Sequence, residues 1–420
     1  MTNPVRARGN PVGRSRVRGQ GCGFVGPESF PTGVRVRFES QTEAGPKCPV
    51  APFRPMPALT PPNPWRLSVA PMMDWTDRHC RYFHRLISRH TRLYTEMVTT
   101  GALLHGDLPR HLDFNPEEHP LALQVGGSEP ADLARAARLA QLWGYDEINL
   151  NCGCPSERVQ RGAFGACLMA EAGLVRDGVK AMRDAVGDAL PVTIKHRIGI
   201  DRIESDDFVQ QFVGTVAEAG ATVFIVHARN AWLQGLSPKE NREVPPLRYD
   251  TVHRLKQAFP QLTIAINGGF SRNDQVAEQL RHVDGVMLGR EAYHQPSLMA
   301  DWDARFWGQG AMPPPVDDDW RLAIEDAMLD YMTVQHSRHG TPWSHISRHW
   351  LGLWNGQPGA RRWRQVWSDH RLKSQPVREV ARLAHLARRA GLPLVDGAST
   401  VAQDGAGGPP QATAADEAAN

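Results

Sequence analysis

Eight short runs of aliphatic and β-branched residues recur between residues 65 and 290, each followed by a longer stretch of helical character. The runs are Leu67–Ala70, Leu93–Val98, Leu121–Val125, Glu147–Leu150, Val192–Lys195, Thr222–His227, Leu262–Ile266 and Gly285–Leu288. Amphipathic segments such as Pro130–Trp143 and Leu174–Val186 lie between them. Eight strands, each followed by a helix, predict an α/β fold: a parallel sheet closed into a (β/α)8 TIM barrel with an outer ring of helices. A doubly wound open sheet is the competing topology. The ends of the runs favour the barrel. They carry Pro71-Met72-Met73, Glu96, Gln124, Asn151-Cys152-Gly153-Cys154, Lys195-His196-Arg197, His227, Asn267-Gly268-Gly269 and Gly289-Arg290. Strand ends of that kind converge at the mouth of a barrel, whereas packing alone gives no reason for all eight to be chemically useful.

The barrel is expected over residues 65–316. Before it, residues 1–64 are rich in Pro, Gly and Arg, with nine Lys/Arg against three Glu and no sustained period. Such a segment cannot bury enough apolar surface to offset its ordering entropy, so a disordered extension is expected. A basic RNA-touching arm, an organelle presequence, and a merely tolerated extension or wrongly placed start (with Met56 as the alternative initiator) are its three readings. Gly19, Gly21 and Gly23 have no strand before them and no helix after them, which removes a dinucleotide-binding loop. Residues 317–395 lack strand signals and read as a C-terminal all-helical domain carrying His345, Arg348, His349, Trp350, Arg361, Arg362, Trp363 and Arg364. Cations neutralise phosphates and aromatic rings stack on bases, so this domain is expected to face nucleic acid; a plain helical domain with an aromatic core is the alternative. Residues 396–420 are expected to be a loose Ala/Gly-rich tail.

The formal charge of +3 excludes a histone-like polycation but leaves room for one basic face. No run of about 18 apolar residues marks a membrane span. Six cysteines, at 22, 48, 80, 152, 154 and 167, follow neither a disulfide framework nor a zinc spacing. Reduced thiols in a cytoplasmic protein, without a metal, are the expectation.

Two glycine elements close the predicted barrel, Asn267-Gly268-Gly269 after the seventh run and Gly289-Arg290 after the eighth. That is the recurrent phosphate position of this architecture, and glycine lets backbone N–H groups come close to an anion. Arg290 adds a fixed positive charge. Lys195 is a cation in an otherwise apolar strand, and a buried lysine is rare without a partner, so ligand contact is expected. His227 ends another apolar run beside the phosphate loops. Gln124 offers both a donor and an acceptor to a flavin or a base. The segment Asn151-Cys-Gly-Cys-Pro155 is the sharpest element: a thiol at the mouth serves as nucleophile, metal ligand or acid. Cys167 is the competing thiol.

Several motifs at once resemble one known family. Ala70-Pro-Met-Met-Asp-Trp-Thr-Asp77, Tyr94-Thr-Glu-Met-Val-Thr-Thr-Gly101, Leu121-Ala-Leu-Gln-Val-Gly-Gly127, Gly144-Tyr-Asp-Glu-Ile-Asn-Leu-Asn151, Gly153-Cys-Pro-Ser156 and Phe164-Gly-Ala-Cys-Leu-Met169 are similar to the tRNA-dihydrouridine synthases. Gly235-Leu-Ser-Pro-Lys-Glu-Asn-Arg-Glu243 and Pro358-Gly-Ala-Arg-Arg-Trp363 point to the bacterial A subfamily, which modifies the D-loop 20/20a positions. The resemblance runs from about Trp65 to about residue 390. It implies an FMN-binding barrel, a tRNA-binding helical domain and reduction of uridine by NADPH, with NADH as the alternative donor. By position, Pro71, Met72 and Met73 would line the flavin ring, Gln124 and Lys195 its polar edge. His227, Asn267, Gly268, Gly269, Gly289 and Arg290 would hold the phosphate. Cys154 matches the family's proton donor and Asn151 a residue that meets the uridine; Lys239, Arg242, His345 and Arg348 fall in regions that contact tRNA. Cys152 stands where relatives carry an aliphatic residue, which raises the question of a Cys152–Cys154 disulfide. A flavin oxidoreductase of free pyrimidines and a non-catalytic tRNA-binding protein are the rival readings; neither a membrane nor a protein partner is implied.

Overall fold

Alternation of side chains along each strand builds the fold. The computed structural model describes residues 63–308, apart from 157–159, 161 and 204, and residues 315–390, all within the unit Ala58–Asn420. The extension up to residue 62 and the tail from 391, with Cys22, Cys48 and Met56, lie outside the described residues.

Nine strands form the sheet: β1 (Leu67–Val69), β2 (Leu93–Tyr94), β3 (Val98–Thr99), β4 (Leu121–Gly126), β5 (Glu147–Cys152), β6 (Val192–Arg197), β7 (Val223–His227), β8 (Thr263–Asn267) and β9 (Gly285–Leu288). All pairings are parallel, in the order β1-β9-β8-β7-β6-β5-β4-β2. The ring closes beside β2, where Val69 N–H donates to Arg92 O at 3.0 Å and Arg92 N–H to Leu67 O at 3.1 Å. The predicted barrel is therefore the architecture, and the open sheet is not.

The second predicted run differs from the single strand expected. β2 and β3 both pair with β4, but Tyr94 to Val98 is four steps where Ala122 to Val125 is three. One extra residue on one side is a β-bulge. It breaks the run at Thr95–Met97 and delivers Glu96 to the mouth, where its carboxylate accepts the Asp74 N–H. Two other strands run two residues further than expected, β5 to Cys152 and β6 to Arg197.

Period-two burial sorts the side chains into two layers. Outward residues, among them Leu123, Ile148, Leu150, Ile194, Phe224, Ile266 and Leu288, pack under the helices in one large core. Inward residues Ala70, Tyr94, Ala122, Val223, Ile225, Ala265 and Met287, with Trp65 against them, fill the barrel. The outer helices include Arg78–Ile87, Pro130–Leu142, Ala172–Val186, Asp206–Ala217, Tyr249–Ala258 and Asn273–Gln279.

Beyond the barrel come the helices Asp318–His339, Trp343–Ser347, Ala360–Trp367 and Val377–Arg389. Asp317 caps the first, accepting Trp320 N–H at 2.9 Å, and Gly340 ends it in the left-handed region. These helices pack on the first barrel helix. Tyr331 stacks on Tyr82 with centroids 4.0 Å apart, and its hydroxyl meets His79 Nδ1 at 2.8 Å. The core of this region is a tryptophan cluster: Trp350, Trp354 and Trp363 are fully buried, and Glu325 accepts the indole N–H groups of Trp354 and Trp363. The expectation that Trp350 and Trp363 stack on bases is thereby corrected. Indole rings of that size supply the apolar burial a small helical unit needs. The cations His345, Arg348, Arg361 and Arg362 remain exposed.

Candidate active site

The carboxyl ends of the strands bring most of the predicted residues together. Asn151 lies beside Lys195, Arg197 beside His227, and His227 beside Asn267 in the sheet register. Gly268 packs on the His227 ring: a β-carbon there would come within 2.9 Å of His227 Cδ2. Gly268 and Gly269 have φ of +130° and +76°, a conformation that favours glycine. At the other side of the mouth, a β-carbon on Gly289 would sit 3.6 Å from Ala70 Cβ and 3.7 Å from Met72 sulfur. Pro71 and Met72 are half-buried, whereas Met73 is 57 % exposed.

Cys154 is partly exposed on the loop after β5. Asn151 Oδ1 accepts the N–H groups of both Gly153 and Cys154 at 3.0 Å, so this side chain shapes the loop that carries the thiol. Cys152, the last residue of β5 and of its outward-facing set, is buried in the core under the helices; both thiols are free. β5 ends at Cys152, and Cys154 lies on the loop beyond it, so the two thiols have different surroundings, one buried in the core and one partly exposed, which removes the ground for a disulfide between them. Cys167 lies in the first turn of the short 3-10 helix Gly165–Ala170, and its thiol donates to Phe164 O at 3.1 Å.

Lys195 and His227 stand apart from their neighbours. Lys195 is partly buried and His227 largely so, and neither side chain hydrogen-bonds to any described residue. Burial, with Arg197 beside it, pushes the Lys195 ammonium down to about 7, against the opposing pull of Cys154. Burial likewise holds His227 well below its ordinary value, helped by Arg197 and Lys195. A neutral imidazole and a half-charged amine, both aimed into the mouth, fit an anionic or polar ligand.

Arg197 was named from the sequence only as part of the strand end Lys195-His196-Arg197 and given no role, yet it ties the mouth together. It donates to Gly153 O at 3.1 Å, Asn230 O at 3.1 Å and Asn241 O at 2.9 Å. Burial lowers it to about 9. Asn241, fully buried, in turn accepts Trp232 N–H at 2.7 Å and donates to Trp232 O at 2.9 Å. This fixes the segment 235–243, so that Lys239 and Arg242 stay exposed beside the mouth. A strand cation two residues past another inward residue, Lys195, was the signal available.

Other predicted residues are engaged within the protein. Gln124 is 1 % exposed and linked to Asn149 and Asn151. Asn267 Nδ2 donates to Met287 O at 2.8 Å. Arg290, directly after Gly289, pairs with Glu243 at 2.6 Å. Arg348 pairs with Asp77 at 3.0 Å, where the buried His349 also meets that carboxylate at 2.9 Å. Among the described residues His345 has no side-chain hydrogen bond or ion pair with the mouth residues. Among the described residues no group of three or more His, Cys, Asp or Glu is arranged to hold a metal. No described helix is long and apolar enough to cross a membrane.

The family model described as "Dihydrouridine synthase (Dus)" matches residues 68–390. The chain belongs to the dihydrouridine synthase family. It is thus an oxidoreductase of the tRNA-dihydrouridine synthase kind. A tRNA-dihydrouridine(20/20a) synthase of Yersinia pestis is 55% identical over 320 residues, 76% of this chain and 90% of that protein. The protein of the same description from Escherichia coli K12 is 55% identical over 310 residues, covering 74% and 87%. That of Vibrio parahaemolyticus is 56% identical over 306 residues, covering 73% and 91%. Among solved structures, a 2-naphthoyl-CoA reductase complex aligns at TM-score 0.45 with 13% identity, over 56% of this chain and 49% of its own, a likeness too slight to bear on function. The matched segment of this dihydrouridine synthase takes in the barrel and the C-terminal helices alike.

Proposed function

We propose that this dihydrouridine synthase reduces the C5=C6 bond of the D-loop uridines at positions 20 and 20a of tRNA, using bound FMN and NADPH as reductant. The observation that carries the reading is the meeting of a loop thiol, Cys154, with the unpartnered Lys195 and His227 at the barrel mouth. The relatives' 55% identity to this chain, under their description as 20/20a synthases, supports the choice of positions.

The residues fit a flavin phosphate and ring. Gly268 and Gly269 form a cradle that any side chain would fill, beside a neutral His227. Lys195 and Gln124 offer polar groups to the ring edge, Pro71, Met72 and Met73 an apolar wall, and Asn267, Gly289 and Arg290 complete the site. FMN, when bound, supplies the hydride that uracil C6 accepts. The protein then has to deliver a proton to C5. Cys154 is the thiol placed to give that proton. The thiolate left behind would face Lys195, Arg197 and Arg242, each of which senses the charge of Cys154. Asn151 keeps the loop in place and, with Lys195, supplies N–H donors toward charge developing on the base. The target base leaves its stack to enter the mouth. Lys239, Arg242, His345 and Arg348 would meet tRNA phosphates, so binding should weaken with salt. A cytoplasmic location suits that substrate.

Mass-spectrometric nucleoside mapping of tRNA from a deletion strain tests this reading. Loss of the two-hydrogen increment at the D-loop uridines, restored by the intact gene but not by Cys154→Ala, is the expected result. An unchanged dihydrouridine profile in a strain without a paralogue would overturn it. Activity in Cys154→Ala, with loss in Cys167→Ala, would move the acid to Cys167.

A further inference from the structure

The barrel contains an unbroken line of side-chain hydrogen bonds from its closed end to its mouth. Glu147, on the first inward position of β5, is completely buried and ion-paired with Arg92 at 3.1 Å. Its carboxylate accepts Trp65 Nε1–H at 2.7 Å, Tyr94 O–H at 2.8 Å and the Thr193 hydroxyl. Asn149 Nδ2 donates to Thr193 Oγ1 at 2.7 Å, and Gln124 Nε2 donates to Asn149 Oδ1 at 2.8 Å. Asn151 Nδ2 donates to Gln124 Oε1 at 2.9 Å, and Asn151 Oδ1 receives the Gly153 and Cys154 N–H groups.

The direction of this line is forced by its ends. A carboxylate paired with Arg92 and Trp65 only accepts, so Thr193 must donate to it. The Thr193 oxygen is then the acceptor for Asn149, whose own oxygen must accept from Gln124. Gln124 therefore turns its oxygen toward Asn151, and Asn151 turns its oxygen toward the backbone of the Cys154 loop. Each amide has a single orientation, and reversing any one would leave two acceptors or two donors face to face in a dry interior.

We propose that Glu147 is a positioning residue for the reaction: through Thr193, Asn149 and Gln124 it fixes the amide of Asn151 and with it the loop that holds Cys154. The inference rests on Cys154 being the acid proposed above. Neither Glu147 nor Asn149 reaches the mouth, so their effect is conveyed and not direct. The alternation of Glu147, Asn149 and Asn151 on one face of β5 is what makes a continuous line along the barrel interior.

Thr193→Val cuts the line while leaving the Arg92, Trp65 and Tyr94 contacts of Glu147 in place; Thr193→Ser keeps it. The measurement, on the full chain as purified, is the rate of iodoacetamide labelling at Cys154, resolved from Cys167 by peptide mapping. It is paired with kcat and KM for tRNA. In Thr193→Val the labelling rate at Cys154 should change by about threefold or more with Cys167 unaltered, and kcat should fall on the order of tenfold at near-constant KM. Thr193→Ser should restore both, and Tyr94→Phe, which removes a donor outside the line, should leave Cys154 labelling as in the wild type. Equal behaviour of the Val and Ser variants, or wild-type labelling in Thr193→Val, would overturn the proposal. So would failure of both Thr193→Val and Glu147→Gln to fold, since the line would then serve folding alone. Labelling needs no substrate, so it reports whether the line holds the Cys154 loop even if the uridine chemistry proves wrong, and kcat separately reports its effect on the reaction.

Discussion

Lys195→Met separates what the barrel mouth costs from what it does. Burial brings the ammonium down from 10.5 to about 7. That difference corresponds to about 5 kcal/mol against the charged form. The side chain keeps part of its exposure, so a realistic cost is about 2–4 kcal/mol. The unfolded chain binds more protons than the folded one between pH 7 and 10.5, so stability rises with pH across that window. The penalty is complete below pH 7 and gone above 10.5. Methionine has nearly the same shape without the charge. In protein stripped of flavin, urea unfolding followed by tryptophan fluorescence should show the variant more stable by about 2–4 kcal/mol at pH 6.5, the gap closing near pH 10.5. Its flavin retention should fall at the same time, because the unpartnered amine is spent on ligand and not on stability. A variant no more stable than wild type at pH 6.5, or a gap that does not close in alkali, would refute this account of Lys195.

Three further perturbations test the same site. Gly268→Ala places a methyl group against His227 and Leu247 at φ +130° and should cost about 1–3 kcal/mol, read as a lower melting temperature with less flavin retained after gel filtration. Arg197→Met leaves the Gly153, Asn230 and Asn241 carbonyls without their cation, at about 1–3 kcal/mol for each one left unsatisfied, and should speed proteolysis within 235–243; an unchanged digestion pattern would count against it. For Asp77, burial pushes the carboxyl up, but His349 and the Cys80 N–H more than offset it and hold it well below its ordinary value. The stability it confers is therefore present above pH 4 and lost only as pH falls well below that; Asp77→Asn should be less stable at pH 7 by about 1–2 kcal/mol, the difference narrowing only in strong acid.

The barrel was legible because closure imposes a rhythm that a single strand or helix cannot fake. Seven of the eight runs became one strand each; the eighth, Leu93–Val98, did not. Its bulge lies at Thr95–Met97, where the count of residues on two strands differs by one, and that count exists only once β2, β3 and β4 are paired. Cys154, Lys195 and His227 could be picked out as chemistry at strand ends. Arg197 was named at its strand end but given no role, because its use depends on carbonyls from two loops, those after β5 and β7, that are distant in sequence. Trp350 and Trp363 were misread for a related reason: an indole beside arginines looks alike whether it faces a base or a core.

The sequence alone determined the things that depend on local order: eight βα units, glycines at two strand ends, a thiol after β5 and a motif set shared with one family. Each follows from side-chain period or backbone freedom, and neither needs a distant partner. Tertiary structure decided how those residues are used. It left Lys195 and His227 without partners, gave Arg290 to Glu243 and Arg348 to Asp77, and sent Cys152 outward while Cys154 stayed at the mouth. Above all, it joined Glu147 to the Cys154 loop through amides from two neighbouring strands. A hydrogen bond has a direction and a length, and both are set only when the ring of strands closes.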